Sequence, residues 1–101
     1  MISKRQRLEK LKNCVAYAFM TLVEYTQQDV AKLTGLSKTT INRLWSGKIT
    51  LATHFGTVQA LAMAAGLELL IVDTELKVYA SGSKREMNVG QAIEKLYAKA
   101  G

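Results

Sequence analysis

Apolar residues recur at steps of three and four through the first part of the chain: Leu8, Leu11, Val15, Ala18 and Leu22 fall on one stripe. Ser3 and Gln6 have capping-box spacing at its start, and together these features predict one helix over residues 4–24. At about 1.5 Å per residue such a helix is about 30 Å long, more than a small helical domain needs along one side of its core. It either lies across its own domain or meets a partner. Thr26 is placed to cap a second helix, 27–34, which carries Val30 and Ala31 and ends at Gly35, a residue suited to a left-handed C-terminus. Ser37 is placed to cap a third, 37–46, stopped by Gly47. A fourth, 54–65, puts Phe55, Val58, Leu61, Ala62 and Ala65 on one face and ends at Gly66.

The period then changes from helical to extended. Leu67 to Val72 is a nearly continuous apolar run, Asp73 to Glu75 reads as a turn, and Leu76, Val78 and Ala80 alternate with Lys77 and Tyr79. A β-hairpin of strands 67–72 and 76–80 follows from this. An isolated hairpin is barely stable in water, so it must rest on the helices or on another chain. The first strand is apolar on both faces and calls for two neighbours. After a polar loop from Ser81 to Glu86, Asn88 and Gln91 repeat the capping-box spacing. Val89, Ile93, Leu96, Tyr97 and Ala100 then mark a last amphipathic helix, 89–100. The fold class is mainly α, and the natural division is a helical bundle at 1–66 with the hairpin and final helix, 67–101, as an extension of the same domain.

Composition narrows the chemistry. The 101 residues suit one domain, and 49% hydrophobic against 22% charged residues argues against disorder. Cys14 is the only cysteine and His54 the only histidine, so neither an internal disulfide nor a tetrahedral metal site can be built from one chain. Cys14 lies beside the apolar stripe and reads as a buried, inert thiol, and His54 as a surface or capping residue. The run from Cys14 to Val23 is too short to span a membrane. It is not a leader either, because the preceding basic residues alternate with Leu8 and Leu11 and the run ends in Glu24. A cytoplasmic protein is expected. The carboxylates Glu9, Glu24, Asp29, Glu68, Asp73, Glu75, Glu86 and Glu94 are scattered, and no glycine-rich phosphate loop occurs. No catalytic residue, cofactor or metal is therefore expected.

Residues 26–48 are the most specific segment. Ala31 stands where a crossing helix must approach closely, Gly35 where the chain must turn, and Ile41 where the next helix packs back, with Val30, Leu33, Leu36 and Leu44 as the apolar remainder. Taking Lys38 as origin and advancing about 100° per residue, Asn42, Thr39 and Arg43 fall near 40°, 100° and 140°, whereas Leu44 and Ile41 fall near 240° and 300°. One face is polar and one is apolar. The polar face holds residue types that read base edges: Lys and Arg donate to guanine, Asn pairs with adenine, and the Thr methyl meets the thymine methyl.

This spacing, with Gln27 and the ending Leu44, Trp45, Ser46, Gly47, Lys48, resembles the phage repressor and Cro-like (Xre-like) helix-turn-helix DNA-binding family over roughly residues 15–70. The resemblance implies a lambda-repressor-like helical bundle in which Lys38, Thr39, Asn42 and Arg43 read bases. It further implies that Gln27, Thr40, Ser46 and Lys48 contact phosphates, aided by the two helix starts. Ala31, Gly35, Ile41 and Leu44 form the motif core. Many relatives carry a buried Arg and Glu pair at the positions matching Met20 and Trp45; a Met and Trp contact is expected here, with Trp45 packing in the core.

Dimers of this motif read half-sites about 34 Å apart. The hairpin, through Leu69, Ile71, Val72 and Val78, is the first candidate interface and the first helix the second. A dimeric repressor on a palindromic operator is thus expected. The stretch Gly66, Leu67, Glu68, Leu69 also resembles the region after the fourth helix in antitoxins of this fold, which implies an autorepressor with a toxin bound to its C-terminal part. A third reading is an adaptor or anti-repressor whose motif no longer binds DNA. RNA is disfavoured, because most of the seven aromatics fall on apolar faces. The net charge of +6 divides as +4 over residues 1–12, −1 over 13–26, +3 over 27–48, −3 over 49–76 and +3 over 77–101. The basic excess therefore includes the helix-turn-helix, and the acidic stretch covers the fourth helix and most of the hairpin.

Overall fold

A computed structural model describes residues 4–50, 55–72 and 75–100. The cap expected at Ser3, the helix start at His54, the turn at Asp73 and the side chain of Ala100 lie outside the described residues. Among the described residues, five helices and one hairpin follow in the order α1 (Lys4–Thr21), α2 (Gln27–Thr34), α3 (Lys38–Trp45), α4 (Phe55–Ala64), β1 (Leu67–Val72), β2 (Glu75–Ala80) and α5 (Val89–Ala100).

Helix α1 is shorter than its apolar pattern predicts. The Leu22 amide still bonds to the Ala18 carbonyl at 2.9 Å, but the Tyr25 amide turns back to Leu22 at 3.0 Å. Thr26 must be extended to cap α2, with φ −73° and ψ 164°, so the chain has to leave the helix before it. Leu22 is the last residue of the stripe to reach the core, and Val23 and Tyr25 are exposed. α1 packs against α3, α4, β2 and α5, so its length is used within its own chain.

One hydrophobic cluster joins all the elements. Cys14, Val15 and Ala18 of α1 meet Val30, Ile41, Leu44, Val58, Leu61 and, from the hairpin, Leu67, Leu69, Leu76 and Val78. Val89 of α5 closes it. Burial pushes the Cys14 thiol up to about 12, with Lys10 opposing the shift.

The hairpin strands pair antiparallel, with Leu67 opposite Ala80, Leu69 opposite Val78 and Val72 opposite Glu75, so β2 begins one residue earlier than its alternation predicts. Burial of β1 is one-sided: Leu67 and Leu69 are inside, while Leu70, Ile71 and Val72 are exposed. Two residues expected at an intersubunit contact are thereby corrected. Leu69 and Val78, only 1% and 2% exposed, fill the chain's own core, because alternate residues of a strand share a face and that face lies on the helices.

The two edges of the hairpin differ. On the β2 side the Met87 amide bonds to the Val78 carbonyl at 2.7 Å, Glu86 bridges to Tyr79, and Lys10 Nζ donates to the Leu76 carbonyl at 3.0 Å. On the β1 side Gln59 Nε2 donates to the Leu69 carbonyl at 3.4 Å. By strand alternation, the main-chain groups of Ile71 point the same way, beyond that contact.

Leu61, fully buried in α4, is expected to cost about 3 kcal/mol when changed to Ala. The exposed Met63→Ala in the same helix should stay within about 0.5 kcal/mol of the parent; urea unfolding of both variants checks the contrast. Cys14 should resist a thiol reagent at pH 8 until the protein is unfolded. Because its folded pKa is raised, its contribution to stability is complete below 9.0 and lost as pH rises towards about 12. Cys14→Ala should show a shallower alkaline decline in thermal unfolding.

Candidate nucleic-acid interface

α2 and α3 are each only eight residues long, and their ends are fixed by side chains. Thr26 Oγ1 accepts from the Asp29 amide at 3.1 Å, and Asp29 Oδ2 accepts from the Thr26 amide at 3.3 Å. The reciprocal half goes beyond the single Thr26 cap expected above, and its sequence signal is Thr-x-x-Asp. Ser37 Oγ accepts from the Thr40 amide at 3.1 Å and lies 2.8 Å from the Thr40 hydroxyl. Among the first amides of each helix, those of Gln27 and Gln28 in α2 and of Lys38 and Thr39 in α3 have no intrahelical acceptor, and they point out of the helix start.

The turn between the helices is equally determined. Gly35 has φ +74°, and its amide bonds to the Ala31 carbonyl at 2.9 Å. A Cβ at Gly35 would meet nothing within 4 Å, so glycine is needed for its backbone conformation and not for room. Thr34 fastens the same corner: its hydroxyl donates to the Val30 carbonyl at 2.8 Å and accepts from the Leu36 amide at 3.2 Å.

With the corner fixed, burial sets the phase of α3. Ile41 is fully buried and Leu44 is 4% exposed. Lys38, Thr39, Asn42 and Arg43 consequently project together to solvent. Of the expected phosphate contacts, Ser46 and Lys48 are exposed, Gln27 is half-buried, and Thr40 is half-buried with its hydroxyl beside Ser37. Ala31 is half-buried against the core, as a close helix crossing requires. The face has no carboxylate of its own, and Asp29, the acid of α2, is held in its capping box.

Two expectations change, and one contact is added. Leu33 is 55% exposed and does not join the apolar remainder, because the inward side of α2 is formed by Val30, Ala31 and Thr34 and Leu33 lies about 100° from its centre. Trp45 meets Phe19, the residue before Met20 in α1, with ring centroids 5.0 Å apart and planes at 82°, a contact that the sequence does not indicate. Trp45 itself is not a core residue: it is 57% exposed at the C-terminal end of α3.

Among the described residues no helix is long and apolar enough to cross a membrane, and no three His, Cys, Asp or Glu side chains group as metal ligands. No curated protein and no solved structure gives a significant match to the chain. The family model of the Cro/C1-type HTH DNA-binding domain matches residues 18–69, from the last turn of α1 through the helix-turn-helix and α4 into β1. That family consists of regulators and not of enzymes. A bihelical corner locked by Gly35 and Thr34, a solvent-facing α3 of base-reading residue types, and a family match over more than half of the sequence agree: the chain belongs to the Cro/C1-type helix-turn-helix DNA-binding family.

Proposed function

We propose that the protein is a sequence-specific repressor that binds a palindromic operator as a homodimer and works in the cytoplasm of a bacterial cell or phage-infected host. The observation that carries this reading is the clean division of α3, with Ile41 and Leu44 inside and Lys38, Thr39, Asn42 and Arg43 outside. Lys38 and Thr39 sit at the helix start, the part that enters the major groove first, and Asn42 and Arg43 follow one turn later. Gln27, Ser46 and Lys48 flank this face and anchor phosphates, with Thr40 contributing through the helix start it helps to cap.

In this reading residues 1–66 form the DNA-binding unit and residues 67–101 the dimerising extension. Support comes from the end of the hairpin, where Leu70, Ile71 and Val72 are 46%, 61% and 39% exposed beside the open edge of β1. Three consecutive exposed aliphatic residues beside an open strand edge are costly to leave in water and prone to pair with a second strand. Leu69 and Val78 contribute by holding the hairpin on the core. A second reading keeps the same DNA face and adds a toxin on α5, whose Tyr97 is 66% exposed.

Selection of bound duplexes from a random pool, repeated at two salt concentrations, tests the proposal. A palindromic motif with a steep salt slope is the expected result, and binding without any motif would contradict it. Changing Lys38, Thr39 and Arg43 together to Ala should weaken operator binding by at least about 100-fold while leaving the fold intact. An unchanged affinity would instead favour the adaptor reading. Light scattering at micromolar concentration should give a dimer that Ile71→Lys converts to a monomer. A monomeric parent, alone and on DNA, would contradict the dimer, and co-purification with a neighbouring gene product would favour the toxin-binding variant.

A further inference from the structure

We infer that Trp45 is a further DNA contact, a rigid indole that meets the sugar-phosphate wall of the major groove and is positioned by Phe19. The inference rests on DNA binding through α3 and adds a residue outside the base-reading set. On the helical wheel Trp45 falls about 20° from Lys38 and about 40° from Ile41, at the boundary between the polar and the buried face, and it is 57% exposed there. Seven residues separate it from Lys38, about 10 Å along the helix, and the major groove is about 12 Å wide. With Lys38 over the bases, the far end of α3 therefore reaches the groove wall.

The surroundings of the ring favour a polyanion. Trp45 borders an open, mostly apolar groove of about 380 Å³ between α1 and the end of α3, in which Lys12 is, among the described residues, the one charged side chain, beside Phe19, Leu44 and Ile49. Lys48 lies three residues beyond the ring and is exposed. The C-terminal end of a helix normally repels phosphate. Here the carbonyls of Asn42, Arg43 and Leu44 accept from the amides of Ser46, Lys48 and Gly47, respectively, and the Lys48 cation offsets the remaining dipole.

Phe19 supplies the positioning. Its edge-on contact with Trp45 removes rotational freedom from a side chain that is still 57% exposed. An indole held in this way loses little entropy on binding, lays an apolar face against deoxyribose and offers one N–H donor to a phosphate oxygen. A sequence-independent contact results, which fixes register and carries no base information.

Trp45 is the only tryptophan of the chain, so its emission reports this site directly. Two probes serve: a random-sequence duplex of about 20 base pairs at low salt, and the duplex recovered by selection. On saturation with either, acrylamide quenching of Trp45 should fall severalfold. Trp45→Phe keeps a ring against Phe19 but lacks the N–H and should weaken binding by about 5-fold; Trp45→Ala should weaken it by about 20-fold, by similar factors on both duplexes. Unchanged quenching in a saturated complex, or a well-folded Trp45→Phe that binds within about twofold of the parent, would overturn the assignment. If the parent binds neither duplex, DNA recognition by α3 fails and this contact with it. If the parent binds and Trp45 stays open to the quencher, the Trp45 contact alone fails.

Discussion

An eight-residue helix has too few internal hydrogen bonds to persist in water by itself. α3 exists because Ile41 and Leu44 are buried in the common core, and that burial is the constraint on which the rest of the molecule depends. Fixing two side chains about 60° apart on one helix also fixes the opposite side. Lys38, Thr39, Asn42 and Arg43 thus share one solvent-facing surface as a consequence of packing, with no additional device needed to orient them. Ser37, Gly35 and Thr34 complete the constraint by setting where α3 begins and the direction in which it leaves α2.

α1 connects this surface to the other end of the chain. Cys14, Val15 and Ala18 lie in the cluster that also holds Ile41, Leu44, Leu69 and Val78, so the helix-turn-helix and the hairpin are packed on one body. The Lys10 ammonium, held by the Leu76 carbonyl and 3.9 Å from Glu86, ties α1 to the outer edge of β2 and to the segment that follows it. An exposed pair of this kind adds little stability, but the hydrogen bond to a strand carbonyl closes the β2 edge. The edge left to β1 is the one beside Leu70, Ile71 and Val72. In the proposed dimer, each copy joined there would carry its α3 on the same packed body as its hairpin.

Much of this was legible in the sequence because it is written in local chemistry. Thr26, Gly35, Ser37 and Gly47 punctuate the two short helices, and the switch from period 3.6 to period 2 at Leu67 locates the hairpin. The parts that were not legible depend on which face of an element finds a neighbour. Leu67 to Val72 is apolar throughout, so alternation does not reveal that Leu69 is inside and Leu70 outside. Leu33 and Trp45 sit at the margins of their helices' buried faces, where a single neighbour decides the outcome; both stay more than half exposed, Trp45 with its ring against Phe19. The early end of α1 follows from a demand made by the next element, the extended backbone of Thr26, which the stripe ending at Leu22 does not encode.

The most direct measurement is a residue-by-residue map of backbone amide shifts by NMR during titration with the selected operator duplex. Large perturbations at Lys38, Thr39, Asn42 and Arg43, with smaller ones at Gln27, Gln28 and Lys48 and little change along the outer face of α5, are the expected result. Perturbations concentrated on α5 or the hairpin, with α3 unaffected, would contradict DNA recognition through the face that Ile41 and Leu44 orient.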